Sequence, residues 1–198
     1  APLRLSLHER GVPVWLNTRV KQLIVERGRV MGVAAEHEGQ PITIRAKRGV
    51  VLAAGGFARN KEMREKYQRS PISAEWTLAS PGDTGDAIRM GLELGAAIDL
   101  MYEAWWGPTS LPPGGQPHFH VVERAYPGSI LVDSAGKRFT NESASYIDVV
   151  HAMYEHNRPD AVSIPAHFIM DQRYRRRYLF GITTPLQKFP ERYLTSGY

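Results

Sequence analysis

The chain has 198 residues, of which 42% are hydrophobic and 23% charged, an ordinary balance that predicts a globular protein and excludes wholesale disorder. It contains no cysteine, which excludes disulfides, thiolate metal sites and cysteine nucleophiles. The net charge of +5 suits acidic ligands such as phosphates but is too small by itself to indicate nucleic-acid binding.

Neither a membrane span nor a secretory leader is expected. The longest uncharged apolar stretch, residues 49–58, is far too short to cross a bilayer. Residues 1–10 already carry Arg4, His8, Glu9 and Arg10, which is not the pattern of a leader. We therefore expect a cytoplasmic protein.

Short alternating segments separated by glycine turns occupy the first 46 residues. A Gly-Val-Pro breaker at residues 11–13 ends any preceding helix. Beyond it the alternation predicts strands over residues 14–17, 20–26, 30–36 and 42–46. Strands joined by such tight turns form an antiparallel meander that is polar on one face.

The next segment, residues 49–56, is apolar at every position and ends in Gly55 and Gly56. A strand that is apolar on both sides predicts a buried position in a parallel sheet. Glycines at its carboxyl end allow a ligand to approach the backbone closely.

Two helices follow. The first is predicted over residues 60–68 with Asn60 as N-cap, and the second over residues 82–97. On the second helix Ala87, Gly91 and Gly95 are spaced four apart and form a flat stripe of small residues. The composition changes near residue 105, where aromatic and proline-rich segments begin, and this change predicts a domain boundary.

The second half of the chain mixes strands and helices. Strands are predicted over residues 129–132 and 166–170, with a hairpin-type turn over residues 133–136. A helix is predicted over residues 148–156, with Val149 and Met153 facing inward.

Two groups of residues are candidates for chemistry. Gly55 and Gly56, together with the helix start at residues 83–86, would suit a phosphate or an anionic ring, or would simply be turns with an aspartate N-cap. Residues 136–142 and Tyr146 bring a carboxylate, an arginine and a phenol close in sequence. They form either an acid/base relay or a hairpin turn, a surface charge pair and a core tyrosine.

Two further patterns give weaker signals. His118 and His120 share one face of a strand, but no third ligand stands at a familiar spacing, so no metal site is predicted. The basic run over residues 173–178 is typical of a solvated surface, so no nucleic-acid partner is predicted.

Four blocks occur in a familiar order. They are the meander over residues 20–46, the strand over 48–57, the Thr84-Gly85-Asp86 helix start, and residues 136–142. On these blocks, which span essentially the whole chain, it resembles the fumarate reductase/3-ketosteroid dehydrogenase flavoprotein family. Residues 103–109 and 142–146 are most similar to the ketosteroid dehydrogenase branch.

The resemblance implies an α/β fold with α+β character. Residues 1–105 would be the latter part of a Rossmann-like flavin-binding domain containing the antiparallel meander. Residues 106–198 would be part of a cap, or catalytic, domain. The chain lacks the G-x-G-x-x-G fingerprint of dinucleotide-binding domains, so it is expected to be an internal fragment of a longer enzyme.

The resemblance also implies roles for individual residues. Tyr146 is similar to the cap tyrosine that takes a proton alpha to the ketone. The other matching positions are those that contact FAD in the family, namely Val20, Ala53, Ala54, Gly55, Gly56, Thr84, Gly85 and Asp86.

The expected function is dehydrogenation of a small apolar ketone, steroid-like, with FAD as cofactor. A fumarate or enoate reductase is the alternative enzyme, but it needs cationic side chains for its dicarboxylate, and residues 143–150 contain no arginine. A third interpretation is an inert folded fragment that holds little FAD. The incomplete sheet of such a fragment would favour a homo-oligomer.

Overall fold

The computed structural model describes residues 2–195 and gathers them into two compact units. One unit contains residues 2–54 and Asp86–Ala97, and the other contains Gly55–Gly85 and residues 98–195. Both contain helices and antiparallel sheet, so the structure is mixed α/β. The division into flavin-binding and cap segments at residue 105 stays a prediction, and residues 1 and 196–198 of those segments lie outside the described residues.

The regular elements are short and mostly separated by loops. In chain order they are α1 (Pro2–Glu9), β1 (Thr18–Glu26), β2 (Arg29–His37), β3 (Gln40–Arg45), α2 (Lys61–Tyr67), α3 (Asp86–Glu93), β4 (Thr109–Ser110), β5 (His118–Phe119), β6 (Ser129–Val132), α4 (Tyr146–His156), β7 (His167–Met170), α5 (Gln172–Arg177) and α6 (Glu191–Thr195). None of the helices between residues 2 and 195 is long and apolar enough to span a bilayer.

The first unit contains the predicted meander, as an antiparallel sheet with strands in the order β1-β2-β3. Both hairpins use two-residue turns in which Arg27 and Gly28, and then Glu38 and Gly39, have positive φ. These are type I′ turns, whose twist matches that of the strands. The strand predicted over residues 14–17 does not form, because the left-handed backbone of Asn17 interrupts the extended chain just before β1.

β2 is the central strand of this sheet and carries its buried positions, Val33 and Ala35. A Cβ at Gly32 would lie 2.1 Å from the backbone oxygen of Ile44 on β3, so only glycine permits this close strand pairing. On α3 the buried residues are Ala87 and Met90. The helix ends at Glu93, earlier than predicted, since Gly95 adopts a left-handed conformation (φ 81°) and stops it.

The predicted buried parallel strand over residues 49–56 is wrong for this structure. Among the described residues this segment pairs with no strand, and residues 51–56 are exposed. A strand buried on both faces needs neighbouring strands at its edges and helices over its faces. Within residues 2–195 no such neighbours assemble around it, so its apolar side chains face solvent.

The second unit contains two small antiparallel sheets, β4-β5 and β6-β7, with helices α2, α4, α5 and α6. Asn60 caps α2 as predicted, since its Oδ1 accepts a hydrogen bond from the backbone nitrogen of Met63 at 3.0 Å. α4 begins at Tyr146, two residues before the predicted start. Ser145 is its N-cap and accepts from the backbone nitrogen of Asp148.

The core of the second unit lies around α4 and α5. Val149 on α4 and Tyr174 on α5 are completely buried, and Leu131 and Val132 contribute from β6. The Tyr174 hydroxyl donates to the backbone oxygen of Glu123 at 2.7 Å, and its burial raises the pKa of this phenol. This core holds α4 in place and thereby fixes the position of its first residue, Tyr146.

Candidate functional site

The two glycine segments that the sequence singles out lie against each other in the second unit. The backbone nitrogen of Gly85 donates to the oxygen of Gly56 at 3.0 Å. The side-chain amide of Asn60 donates to the oxygen of Thr84 at 2.9 Å. A Cβ at Gly55, where φ is 77°, would lie 2.2 Å from Asp83 Oδ1, so glycine is required there.

Gly85 is also confined by its surroundings. A Cβ at this residue would lie 2.5 Å from Met63 Sδ and 3.0 Å from Phe57 Cβ, and the backbone is left-handed with φ 77°. α2 and the chain before it therefore support the loop that leads into α3. Gly56, in contrast, faces open space, since a Cβ there would meet no atom within 4 Å.

The remaining predicted cofactor positions belong to the first unit. Val20 lies on β1 beside Arg19, whose guanidinium is 3.5 Å from the carboxylate of Asp86 at the start of α3. This ion pair links the beginning of β1 to the beginning of α3. Ala53 and Ala54 are exposed in the unpaired segment, so their backbone is accessible and their small side chains leave room for a flat ligand.

Tyr146, the predicted base, is half-buried at the start of α4. Its hydroxyl oxygen accepts a hydrogen bond from the indole Nε1 of Trp105 at 2.7 Å. Its ring meets that of Phe119 edge-to-face, with centroids 5.5 Å apart. These two contacts orient the phenol oxygen of Tyr146.

The sequence places Trp105 in the segment most similar to ketosteroid dehydrogenases, but its hydrogen bond to Tyr146 was not predicted, because the two residues are 41 positions apart. A carboxylate, Glu103, holds the loop that presents it. Glu103 Oε2 accepts from Trp106 Nε1 at 3.0 Å and lies 3.2 Å from Nε2 of His151 on α4. Desolvation acts to raise the pKa of Glu103, but these hydrogen bonds and nearby cations lower it overall. The 103–106 loop is therefore tied to the same helix that begins at Tyr146.

The carboxylate and arginine of residues 136–142 are a structural pair and do not contact Tyr146 through any described hydrogen bond. Glu142 is buried and accepts from Leu131 N at 2.8 Å and from Arg138 Nε at 3.0 Å. Desolvation opposes ionisation of Glu142, yet the Arg138 and backbone donors lower its pKa. Both oxygens are thus committed to holding the turn.

A buried arginine, Arg124, which no sequence pattern indicated, fixes the chain just before Tyr146. The Arg124 guanidinium donates to the backbone oxygens of Glu142 and Ala144, the latter at 2.6 Å. Burial of this guanidinium lowers its pKa. Because Arg124 binds the carbonyl oxygens of Glu142 and Ala144, it fixes the backbone that leads into Ser145 and α4.

The predicted histidine pair lies near β5 and is joined by a carboxylate. His118 Nε2 is 3.3 Å and His120 Nδ1 is 3.7 Å from Oε1 of Glu123, which starts a short 3₁₀ helix (Glu123–Ala125). Burial lowers the pKa of His120 to about 4. The structure therefore supplies the third potential ligand whose absence led the sequence analysis to predict no metal.

Comparison with known proteins identifies the class of protein. The model of the FAD binding domain family matches residues 1–191, and the chain belongs to this family. The resemblance to flavoproteins drawn from the four sequence blocks is thereby confirmed.

The particular relatives narrow the class further. The chain is 50% identical to 3-oxosteroid 1-dehydrogenase of Mycobacterium tuberculosis, over 99% of this chain and 36% of that protein. It is 36% identical to 4-oxocyclohexanecarboxylate 2-dehydrogenase of Sinomonas cyclohexanicum, over 90% of this chain and 32% of the relative.

A solved structure shows the same similarity to ketosteroid dehydrogenases. The 3-ketosteroid Δ1-dehydrogenase of Sterolibacterium denitrificans, determined in complex with 1,4-androstadiene-3,17-dione, superposes with a TM-score of 0.87 at 42% identity. The match covers 92% of this chain and 34% of that one. The chain thus spans about a third of the length of the relatives it matches, and the predicted ketosteroid dehydrogenase branch is the one it is similar to.

Proposed function

We propose that the protein containing this chain is an FAD-dependent dehydrogenase that introduces a double bond next to the carbonyl of a 3-ketosteroid-like substrate. The observation that carries the proposal is the 2.7 Å hydrogen bond from Trp105 to the hydroxyl of Tyr146. It equips the tyrosine of the family motif to take a proton. The similarity to 3-oxosteroid 1-dehydrogenases over nearly the whole chain supports the same reaction.

The cofactor positions fit a flavin dinucleotide. Residues 53–56 are exposed and carry small side chains or none. At Gly56 the space beside the backbone is open, because a Cβ there would meet no atom within 4 Å. Helix α3 begins at Asp86, directly after Thr84 and Gly85. We propose that these three residues and Val20 also contact FAD. Bound FAD would supply the hydride acceptor for the dehydrogenation.

The protein's own contribution to the chemistry centres on Tyr146. In its phenolate form the Tyr146 oxygen takes the proton from the carbon alpha to the substrate carbonyl and becomes a neutral phenol. The neighbouring carbon gives up hydride, so that two hydrogens leave and one carbon–carbon double bond forms. The indole N–H of Trp105 donates to the Tyr146 oxygen and holds it in position. Phe119 packs against the Tyr146 ring and restricts its orientation.

The surroundings of Tyr146 favour an apolar ketone over a dicarboxylate. Its described neighbours are the aromatic rings of Trp105 and Phe119, which suit a flat apolar molecule. The nearest arginine in sequence, Arg138, is occupied by Glu142. A dianion away from water needs paired cations, so fumarate is the less suitable substrate.

The proposal is tested by replacing Tyr146 with phenylalanine in the full-length protein. We expect Tyr146→Phe to retain FAD but to slow flavin reduction by a 3-ketosteroid by roughly 10²–10⁴-fold, the usual contribution of a general base. Stopped-flow absorbance of the flavin measures this rate. Tyr102→Phe, which removes the hydroxyl of an exposed tyrosine near the same loop, is the matched control and should react as the wild type does.

Unchanged reduction kinetics in Tyr146→Phe would refute the assignment of the base. The alternative enzyme is distinguished in the same apparatus. A fumarate or enoate reductase would show reoxidation of its reduced flavin by fumarate and no reduction by a ketosteroid.

A further inference from the structure

The cluster formed by His118, His120 and Glu123 has no part in the proposed reaction. One potential ligand atom from each residue lies within 4.8 Å of the others. The three atoms come from two elements, since His118 lies on β5, His120 directly follows it, and Glu123 begins the 3₁₀ helix. Two imidazoles and one carboxylate are a common ligand set for zinc and similar metals.

The carboxylate is oriented toward the histidines. Glu123 Oε2 accepts hydrogen bonds from the backbone nitrogens of Val121 at 3.1 Å and Val122 at 3.2 Å. Oε1 is hydrogen-bonded to His118 Nε2 at 3.3 Å and lies 3.7 Å from His120 Nδ1. In a tetrahedral zinc site with bonds of about 2.0–2.1 Å, neighbouring ligand atoms are about 3.3–3.4 Å apart. The separations from Glu123 Oε1 to the two histidine nitrogens are close to that spacing, and the two nitrogens lie within 4.8 Å of each other.

The strongest indication is an unsatisfied nitrogen. His120 is only 8% exposed, and its Nδ1 is buried without a hydrogen-bond partner. Its other nitrogen, Nε2, lies 2.8 Å from Ser110 Oγ. When the ring proton is on Nε2 and is donated to Ser110, the lone pair on Nδ1 points into the cluster. A buried acceptor without a partner is costly, and a metal ion would satisfy it.

We propose that His118 Nε2, His120 Nδ1 and Glu123 Oε1 bind one divalent transition-metal ion of the zinc type. Ser110 would orient His120, as hydrogen-bonded groups around metal-ligating histidines generally do. His118 is about one-third exposed, which gives the ion a route in and leaves room for water as the fourth ligand. Because the ligands come from β5 and from the helix after it, the ion stabilises this part of the second unit.

The test uses the protein at its natural length with FAD bound. After treatment with a chelator and dialysis against Zn²⁺, wild type should retain one zinc per chain by atomic emission spectroscopy. Competition with a chromophoric chelator should show at least tenfold weaker binding in His118→Gln. His167→Gln, which replaces an exposed histidine on β7, is the matched control and should bind zinc as the wild type does.

Two further measurements follow the folded protein directly, and the first of them needs no variant. Zn²⁺ should raise the melting temperature of the wild-type protein, since a ligand that binds only the folded state stabilises it. Co²⁺ should give the d–d absorption of a tetrahedral site in a difference spectrum against His118→Gln. Equal zinc affinity in wild type and His118→Gln, or no shift in melting temperature at saturating Zn²⁺, would overturn the proposal.

Discussion

At the scale of single residues, the contact between Trp105 and Tyr146 links the candidate site to its chemistry. The two residues are 41 positions apart, and their side chains meet because separate interactions hold each backbone. Trp105 sits beside the Glu103–His151 contact, whereas Tyr146 follows the turn that Arg124 holds. The fold thus brings the indole N–H of the largely exposed Trp105 to the phenol oxygen.

Replacing Trp105 with phenylalanine should therefore weaken the base without removing it. We expect Trp105→Phe to slow flavin reduction roughly tenfold, the effect of losing one hydrogen bond of about 1.4 kcal/mol. Stopped-flow kinetics of flavin reduction measures this rate.

Trp15→Phe, at a half-exposed tryptophan of the first unit, is the control and should not change the rate. A Trp105→Phe rate equal to that of the wild type would contradict a role for the Trp105–Tyr146 hydrogen bond in the reaction.

At the scale of elements, the turn between β6 and α4 depends on one buried carboxylate. Glu142 binds the backbone of Leu131 on β6 and the side chain of Arg138 across the turn. Arg124, from the 3₁₀ helix, then binds the carbonyl of Glu142 itself. The strand, the turn and the helix that begins at Tyr146 are therefore joined through the side chains of Glu142 and Arg124.

Glu142→Gln should destabilise the protein by about 2 kcal/mol at neutral pH, because charge-assisted hydrogen bonds to Arg138 are lost. The pKa of Glu142 is lowered in the folded state, so its contribution is complete above the ordinary carboxyl value of about 4.3. This stabilising contribution is lost as the pH falls through the lowered pKa of Glu142. Urea unfolding at pH 7 and at pH 3 should therefore show a large difference between variant and wild type that shrinks in acid.

Glu155→Gln, at an exposed glutamate on α4, provides the comparison and should unfold like the wild type at both pH values. A Glu142→Gln defect of the same size at pH 3 and pH 7 would mean that shape, and not charge, is what the turn requires.

The features that the sequence predicted well are those decided by near neighbours. The I′ turns follow from single glycines at residues 28 and 39, and the cap of α2 from Asn60. Contacts distant in sequence were not predicted, as with Trp105 and Tyr146. Glu123 stands only three residues after His120. Its carboxylate reaches the histidines because the short 3₁₀ helix turns the chain back toward them. The periodicity of the sequence alone does not predict this contact.

At the scale of the whole molecule, the surroundings of residues 49–56 explain why the prediction of a buried strand there was wrong. Apolar side chains such as Val51, Leu52 and Leu3 are exposed, and Val51 is 89% exposed. The periodicity of residues 49–56 correctly identified an apolar segment, but burial is a property of the surroundings. The chain matches about a third of the length of its relatives, and we propose that the other two thirds of the protein contain the strands and helices that cover this segment.

That proposal leads to a prediction about the 198-residue chain expressed alone. It should purify with far less than one FAD per chain, because no G-x-G-x-x-G segment is present to hold the pyrophosphate. The exposed apolar residues of the first unit should also make it self-associate. The ratio of flavin to protein absorbance, and light scattering after gel filtration, measure the two effects.

The full-length protein prepared in parallel is the reference and should carry FAD. A flavin content near one per isolated chain would show that these residues form a complete cofactor site, and would contradict the assignment of the remaining FAD contacts to the rest of the protein.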